Sequence, residues 1–149
     1  DNNPTNSATY GRLYNWYTVD DDRGVCMAGW HVPSDEEWKQ LEIDIGMDAS
    51  LVDDFGPRGN NEGNALKTIG TEYWTEARGT NDWGFSAKGV GVRLENGNYN
   101  YLKIDGCFWT STYHEDGKAI NRKLVSYYDE IFRDQDSTIR GYSVRCIKD

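Results

Sequence analysis

The spacing of apolar residues changes partway along this chain of 149 residues, and that change limits the possible folds more than any other feature. Before residue 46, Trp38, Leu41 and Ile45 recur on one helical face. The segment opens at Ser34, whose Glu37 three residues later makes a capping box, with Asp35 and Glu36 at the positive end of the helix dipole and Gly46 as the stop. After residue 70 the pattern becomes alternation. Val90, Val92 and Leu94 run into Asn96-Gly97, a hairpin turn signal, and residues 99–104 return. Strand-like runs follow over 107–112, 120–126, 130–133 and 142–147, whereas 53–64 has loop composition and 65–69 reads as one further helical turn. Helix early and antiparallel strands late predict an α+β domain.

The core of such a domain must be built largely from rings. Leu, Ile and Val total 23, against 6 Trp, 10 Tyr and 4 Phe, which excludes a leucine-rich bundle. The length suits a single domain. Residues 1–8 lack periodicity and read as a flexible lead-in, so the domain is expected over 9–149. No apolar run approaches the roughly 20 residues of a membrane span, and the polar stretch from Asp1 lacks the basic-then-apolar order of a leader. Direct membrane insertion by this domain is therefore not expected.

Net charge is −9, with 4 basic and 13 acidic residues in 1–66 and 12 of each in 67–149. The densest basic group, Arg122, Lys123, Arg133 and Arg140, is interleaved with Asp129, Glu130, Asp134 and Asp136. It reads as alternating solvated charge rather than a phosphate-binding face, and nucleic acid is not expected as a partner. Three cysteines allow one internal disulfide, and spacing leaves all three pairings open. No zinc-type CxxC, HExxH, nucleophile elbow or phosphate loop occurs, and Gly89-Val-Gly91 lies inside a strand pattern. Neither metal, cofactor nor catalysis is expected, and the acidic turn Asp20, Asp21, Asp22 reads as solvated. Trp16, Trp30, Trp38 and Trp109 read as core, and His31 beside the helix cap as a hydrogen-bonded structural residue. Trp74, Trp83 and His114 lie in loop-like context more open to a ligand.

Several ordered motifs carry a resemblance over nearly the whole chain. These are Tyr10-Gly-Arg-Leu-Tyr-Asn-Trp-Tyr17, Cys26-Met-Ala-Gly-Trp-His-Val-Pro-Ser-Asp-Glu-Glu-Trp38, Gly84-Phe-Ser-Ala87, Phe108-Trp-Thr-Ser-Thr112 and the closing Gly141-Tyr-Ser-Val-Arg-Cys-Ile-Lys-Asp149. Together they resemble the Fibrobacter succinogenes major paralogous domain. The helix-cap segment and the ending are also similar to formylglycine-generating-enzyme-like domains. The resemblance implies a C-type-lectin-like fold: two short helices packed on a small twisted, mostly antiparallel sheet, with long loops and the termini close together. It implies a disulfide between Cys26 and Cys146 with Cys107 free, and an extracellular or cell-surface location. Calcium-lectin triplets are missing. Some family members resemble targets of diversity-generating retroelements.

The function expected from these readings is non-catalytic recognition of a protein or glycan on another cell or surface. The expected surface is the polar and aromatic stretch 113–140: Tyr113, His114, Asp116, Lys118, Asn121, Lys123, Tyr127, Tyr128, Asp129, Arg133, Gln135 and Asp136. Tyrosine suits such a surface because it offers large contact area at little rotamer entropy. The alternative is a structural spacer or cap without a ligand of its own.

Overall fold

The computed structural model describes residues 3–149 and shows an α+β arrangement of four helices and eight strands among them. Helix α1 (Pro4–Tyr10) begins with Pro at its first turn and is capped by Asn3, whose side chain accepts from the Thr5 amide at 2.9 Å. It buries no residue and so lacks apolar periodicity, and the local capping signals make a helix where the sequence pattern predicts a flexible lead-in. The flexibility expected of residues 1 and 2 lies outside the described residues. Helix α2 (Trp16–Val19) is a single turn capped by Asn15. Helix α3 (Asp35–Asp44) has both halves of the predicted capping box, Ser34 to the Glu37 amide and Glu37 back to the Ser34 amide.

Strands β2 (Gly56–Arg58), β5 (Asp105–Tyr113), β6 (Lys118–Val125) and β7 (Ile131–Ser137) form one antiparallel sheet in the order β2-β7-β6-β5. Between β2 and the late strands, α4 (Glu62–Leu66) begins three residues before the turn expected at 65–69. The hairpin β3 (Val92–Arg93) and β4 (Tyr99–Asn100) is shorter than the alternation predicts. β7 is longer than the expected 130–133, because its last residues are polar on both faces and only the pairing with β6 identifies them as strand. The final run divides: Tyr142 and Ser143 bridge to Tyr14 and Phe108, while β8 (Ile147–Lys148) pairs with β1 (Trp30–His31).

Each face of the main sheet meets its own core. On one face Phe108, Leu124 and Ile131 pack with Trp38, Leu66 and Trp74, joined by Met47 and Val52. On the other, Trp109 and Cys107 pack with Trp16, Val92 and Tyr142 at the β5 side only. Trp16 Nε1 donates to the Thr110 carbonyl at 2.9 Å and Trp109 Nε1 to the Tyr14 carbonyl at 2.8 Å, so both indoles enter the core with their polar atom satisfied. Trp74 is fully buried in the first core, Trp83 is exposed, and Trp30, expected inside, is 40% exposed.

A Cys26–Cys146 disulfide links positions 120 residues apart, and Cys107 is free and buried. Beside it, His31 Nδ1 lies 2.6 Å from Asp149 Oδ1 and Nε2 lies 2.8 Å from Glu37 Oε1, a structural role as expected.

Candidate functional site

The second core covers the sheet face only near β5, and the rest of that face forms a cleft of about 480 Å³. Strand period places Phe132, Asp134 and Asp136 of β7 on this face beside Lys123 of β6, and Asp105 and Cys107 of β5 complete the floor. Tyr101 and Phe55 stand at the rims, each about half exposed.

The cleft charges are mostly paired. Lys123 Nζ is 2.8 Å from Asp134 Oδ2, and Arg140 is 2.6 Å from Asp136 Oδ1. Asp136 also accepts from the Tyr142 hydroxyl at 2.7 Å and from Asn121 Nδ2 at 3.1 Å. Asp105 differs, making no side-chain hydrogen bond or ion pair with any described residue. Burial pushes its carboxyl pKa up, and Lys123, beyond ion-pair distance, only partly opposes this. Burial likewise pushes the Cys107 thiol well up, leaving it a neutral floor residue.

Beyond Lys123 the cleft continues into an aromatic row that runs from half-buried Phe132 to two exposed tyrosines. Lys123 Nζ lies 4.8 Å from the Phe132 ring centre, Phe132 meets Tyr128 edge-on at 5.1 Å, and Tyr128 meets Tyr127 at 5.3 Å. The β6–β7 turn that carries the tyrosines is fixed from behind. Lys67 Nζ donates to the Tyr128 carbonyl at 2.5 Å and to Asn64 Oδ1 at 3.0 Å, and Asn64 Nδ2 donates to Asp129 Oδ1 at 2.8 Å. Gly63 permits this approach, because any Cβ there would collide with the carbonyls of Asp129 and Glu130. Burial lowers the Lys67 pKa to about 8.

The twelve residues expected to form one surface fall into several places. Lys123, Gln135 and Asp136 line the cleft, and Tyr127, Tyr128 and Asp129 lie on or beside the aromatic row. Tyr113, His114, Asp116 and Lys118 occupy the β5–β6 turn, at the opposite end of β6 and roughly 25 Å from the tyrosines of the aromatic row. There Tyr113 packs on Trp16 and its hydroxyl accepts from the Gly117 amide, while His114 meets Phe55.

Asn121 and Arg133 are buried and cannot contribute a free surface. The reading of Arg122 and Arg133 as solvated charge is also corrected. Arg133 holds Asp35 through Nε at 3.0 Å and Nη2 at 2.6 Å, and Arg122 reaches Asp35 at 2.7 Å and Glu42 at 2.6 Å, all beneath the sheet. Their partners lie about eighty or more residues away, so no local pattern signals them.

Asp105, Tyr101, Phe132, Asp134, Arg140 and Tyr142 belong to the cleft or its row and were missed as site residues. For Phe132 and Asp134 the signal was their alternation with Asp136. Among the described residues no group of three or more His, Cys, Asp or Glu converges as a metal site would.

A ligand-sized, mixed-polarity cleft on a rigid antiparallel sheet defines a small disulfide-linked α+β domain with a candidate recognition face. The chain belongs to the Fibrobacter succinogenes major domain family, whose profile matches residues 1–148. Comparisons with curated proteins and with solved structures give no match.

Proposed function

We propose that this chain is a non-catalytic recognition domain of a secreted or surface-anchored bacterial protein, binding a protein or glycan across the open sheet face. The observation that carries the reading is the continuity of the cleft with the aromatic row through Lys123. Rings supply contact area, and adjacent carboxylates, amide and hydroxyl supply directional hydrogen bonds. The chemistry-bearing side chains favour binding over turnover: the one free thiol is buried and neutral, and His31 is committed to two carboxylates that hold the chain end.

The fold reading extends the same proposal. Two helices against a small sheet, a weakly regular middle, and a late chain segment tied to an early one fit a C-type-lectin-like arrangement. A cross-linked domain fits an oxidising compartment. No described helix is long and apolar enough to cross a membrane. Lys123, Tyr128 and Phe132 could vary without entering either core, as a retroelement-diversified surface would require.

Glycan and protein arrays probed with the folded domain test the proposal. The expected result is a ligand whose affinity falls about 5- to 30-fold, roughly 1 to 2 kcal/mol, in Tyr128→Ala. No ligand in either array, or binding indifferent to the combined Tyr127, Tyr128 and Phe132 alanine variants in folded protein, would favour a structural spacer or cap.

A further inference from the structure

We infer that the cleft receives a basic side chain, arginine above all, presented by a protein partner, with Asp105 as its counter-ion. The inference rests on the reading of this face as the recognition surface. Two of the three cleft carboxylates are neutralised inside the domain, Asp134 by Lys123 and Asp136 by Arg140. Asp105 lines the same space, half-buried, without an ion pair or a side-chain hydrogen bond to any described residue. An uncompensated carboxylate in a partly desolvated cleft is unfavourable, and an arriving cation with hydrogen-bond donors removes that penalty.

The walls favour a guanidinium over a spherical ammonium. Tyr101, whose carbonyl accepts from the Asp105 amide at 3.0 Å, presents its ring at the rim nearest Asp105, and a planar guanidinium stacks on a ring while its fork engages a carboxylate. The domain already uses this combination elsewhere, with Arg133 lying 4.3 Å from the Phe55 ring centre while it grips Asp35. The rim is held firmly, since Tyr101 and Lys103 both occupy left-handed backbone conformations, at φ 63° and 62°. A space of about 480 Å³ takes a side chain with its flanking peptide rather than a lone ion. Net charge of −9, with Glu95 bound to Arg140 at 3.4 Å near the cleft, attracts basic partners and opposes acidic glycans.

The test is an NMR titration of the intact domain at low salt with acetyl-Gly-Arg-Gly-amide. Matched citrulline and glutamate peptides and fully deacetylated chitotriose serve as competing probes. The arginine peptide is expected to shift the amide signals of Asp105, Lys123 and Asp134, with the citrulline peptide at least tenfold weaker. Asp105→Asn should lose tenfold or more, while the control Asp20→Asn, which removes the same charge from an exposed turn, keeps wild-type affinity. The wild-type contrast between arginine and citrulline stands without any variant. Equal response to citrulline, shifts confined to other surfaces, unchanged binding in Asp105→Asn, preference for chitotriose, or no shift at tens of millimolar peptide would each overturn the inference. If the peptide fails while an array ligand still depends on Tyr128, the recognition reading survives and only the arginine assignment falls. Silence in both removes both.

Discussion

Asp35 shows how one side chain can join three parts of a fold. It sits in the first turn of α3, yet its carboxylate accepts from Arg122 of β6 and Arg133 of β7, and Arg133 also donates to the Asp53 carbonyl at 2.8 Å. Burial acts to raise its pKa, and the bonds from Arg133 and Arg122 outweigh that, holding it at about 2. A folded-state pKa below the unfolded one means the stabilisation is present above about pH 4 and is lost as pH falls through 2. Asp35→Ala leaves two buried guanidinium groups short of a partner. It is expected to destabilise by about 3 to 5 kcal/mol in denaturant unfolding. A cost under about 1 kcal/mol would mean that Glu42 alone compensates both arginines. Cys107 gives a second expectation at this scale: a thiol reagent should find no reactive cysteine in native protein and one after unfolding without reduction.

At the scale of elements, the β6–β7 turn and the β1–β8 pair are the two places where long-range contacts hold an otherwise weak segment. Lys67→Met removes the donor to the Tyr128 carbonyl, so amide exchange in residues 127–129 should quicken while the core of β6 stays protected. Uniform quickening would instead mean general destabilisation. The β1–β8 pair depends on His31, whose pKa is raised first by the hydrogen bond to Asp149 and then by that to Glu37. Its contribution is therefore full below about pH 6.5 and is lost as pH rises through the higher folded value. Exchange of the Asp149 amide, which donates to the Gly29 carbonyl, should accelerate over that range beyond the intrinsic pH effect. His31→Gln should remove the extra dependence.

These elements also show what was readable in advance. Helix α3 was legible because its cap, first-turn acids and apolar spacing are local. Its buried Asp35 and Glu42 were not, since their partners come from other elements, Arg58 of β2 and the arginines of strands eighty or more residues away. The late strands were legible by type, but β7 lost its second half to a run of polar residues whose alternation points Asp134 and Asp136 into the cleft. The stretch 113–140 contributes only part of the cleft and its aromatic row, which also draw on Tyr101, Asp105 and Tyr142 outside it. A polar residue in a two-faced sheet gives no sequence sign of which face is covered, so buried Asn121 and Arg133 looked the same as cleft-lining Lys123 and Asp136.

Over the whole molecule, the Cys26–Cys146 bond closes a loop that contains the main sheet. In the chain-entropy treatment a loop of 120 residues is worth roughly 5 kcal/mol. Reduction, or paired Cys26→Ala and Cys146→Ala, is expected to lower the unfolding free energy by several kcal/mol while leaving the Asp35 network intact. A loss below about 1 kcal/mol would show that the β1–β8 and Tyr14–Tyr142 contacts already restrain the reduced chain.

The same bond determines how the domain would respond to mechanical load. A pull applied between its two ends travels along the chain to Cys26, crosses the sulfur bridge to Cys146 and leaves through the final three residues, bypassing the closed loop. With the bridge intact, only the chain before Cys26 and residues 147–149 can lengthen, and the load falls first on Tyr14 and Trp16, whose bonds to Tyr142, Trp109 and Thr110 hold the early segment against the sheet. A domain so wired would keep the strands beneath its cleft joined under a shear that strips away the segments outside the bridge.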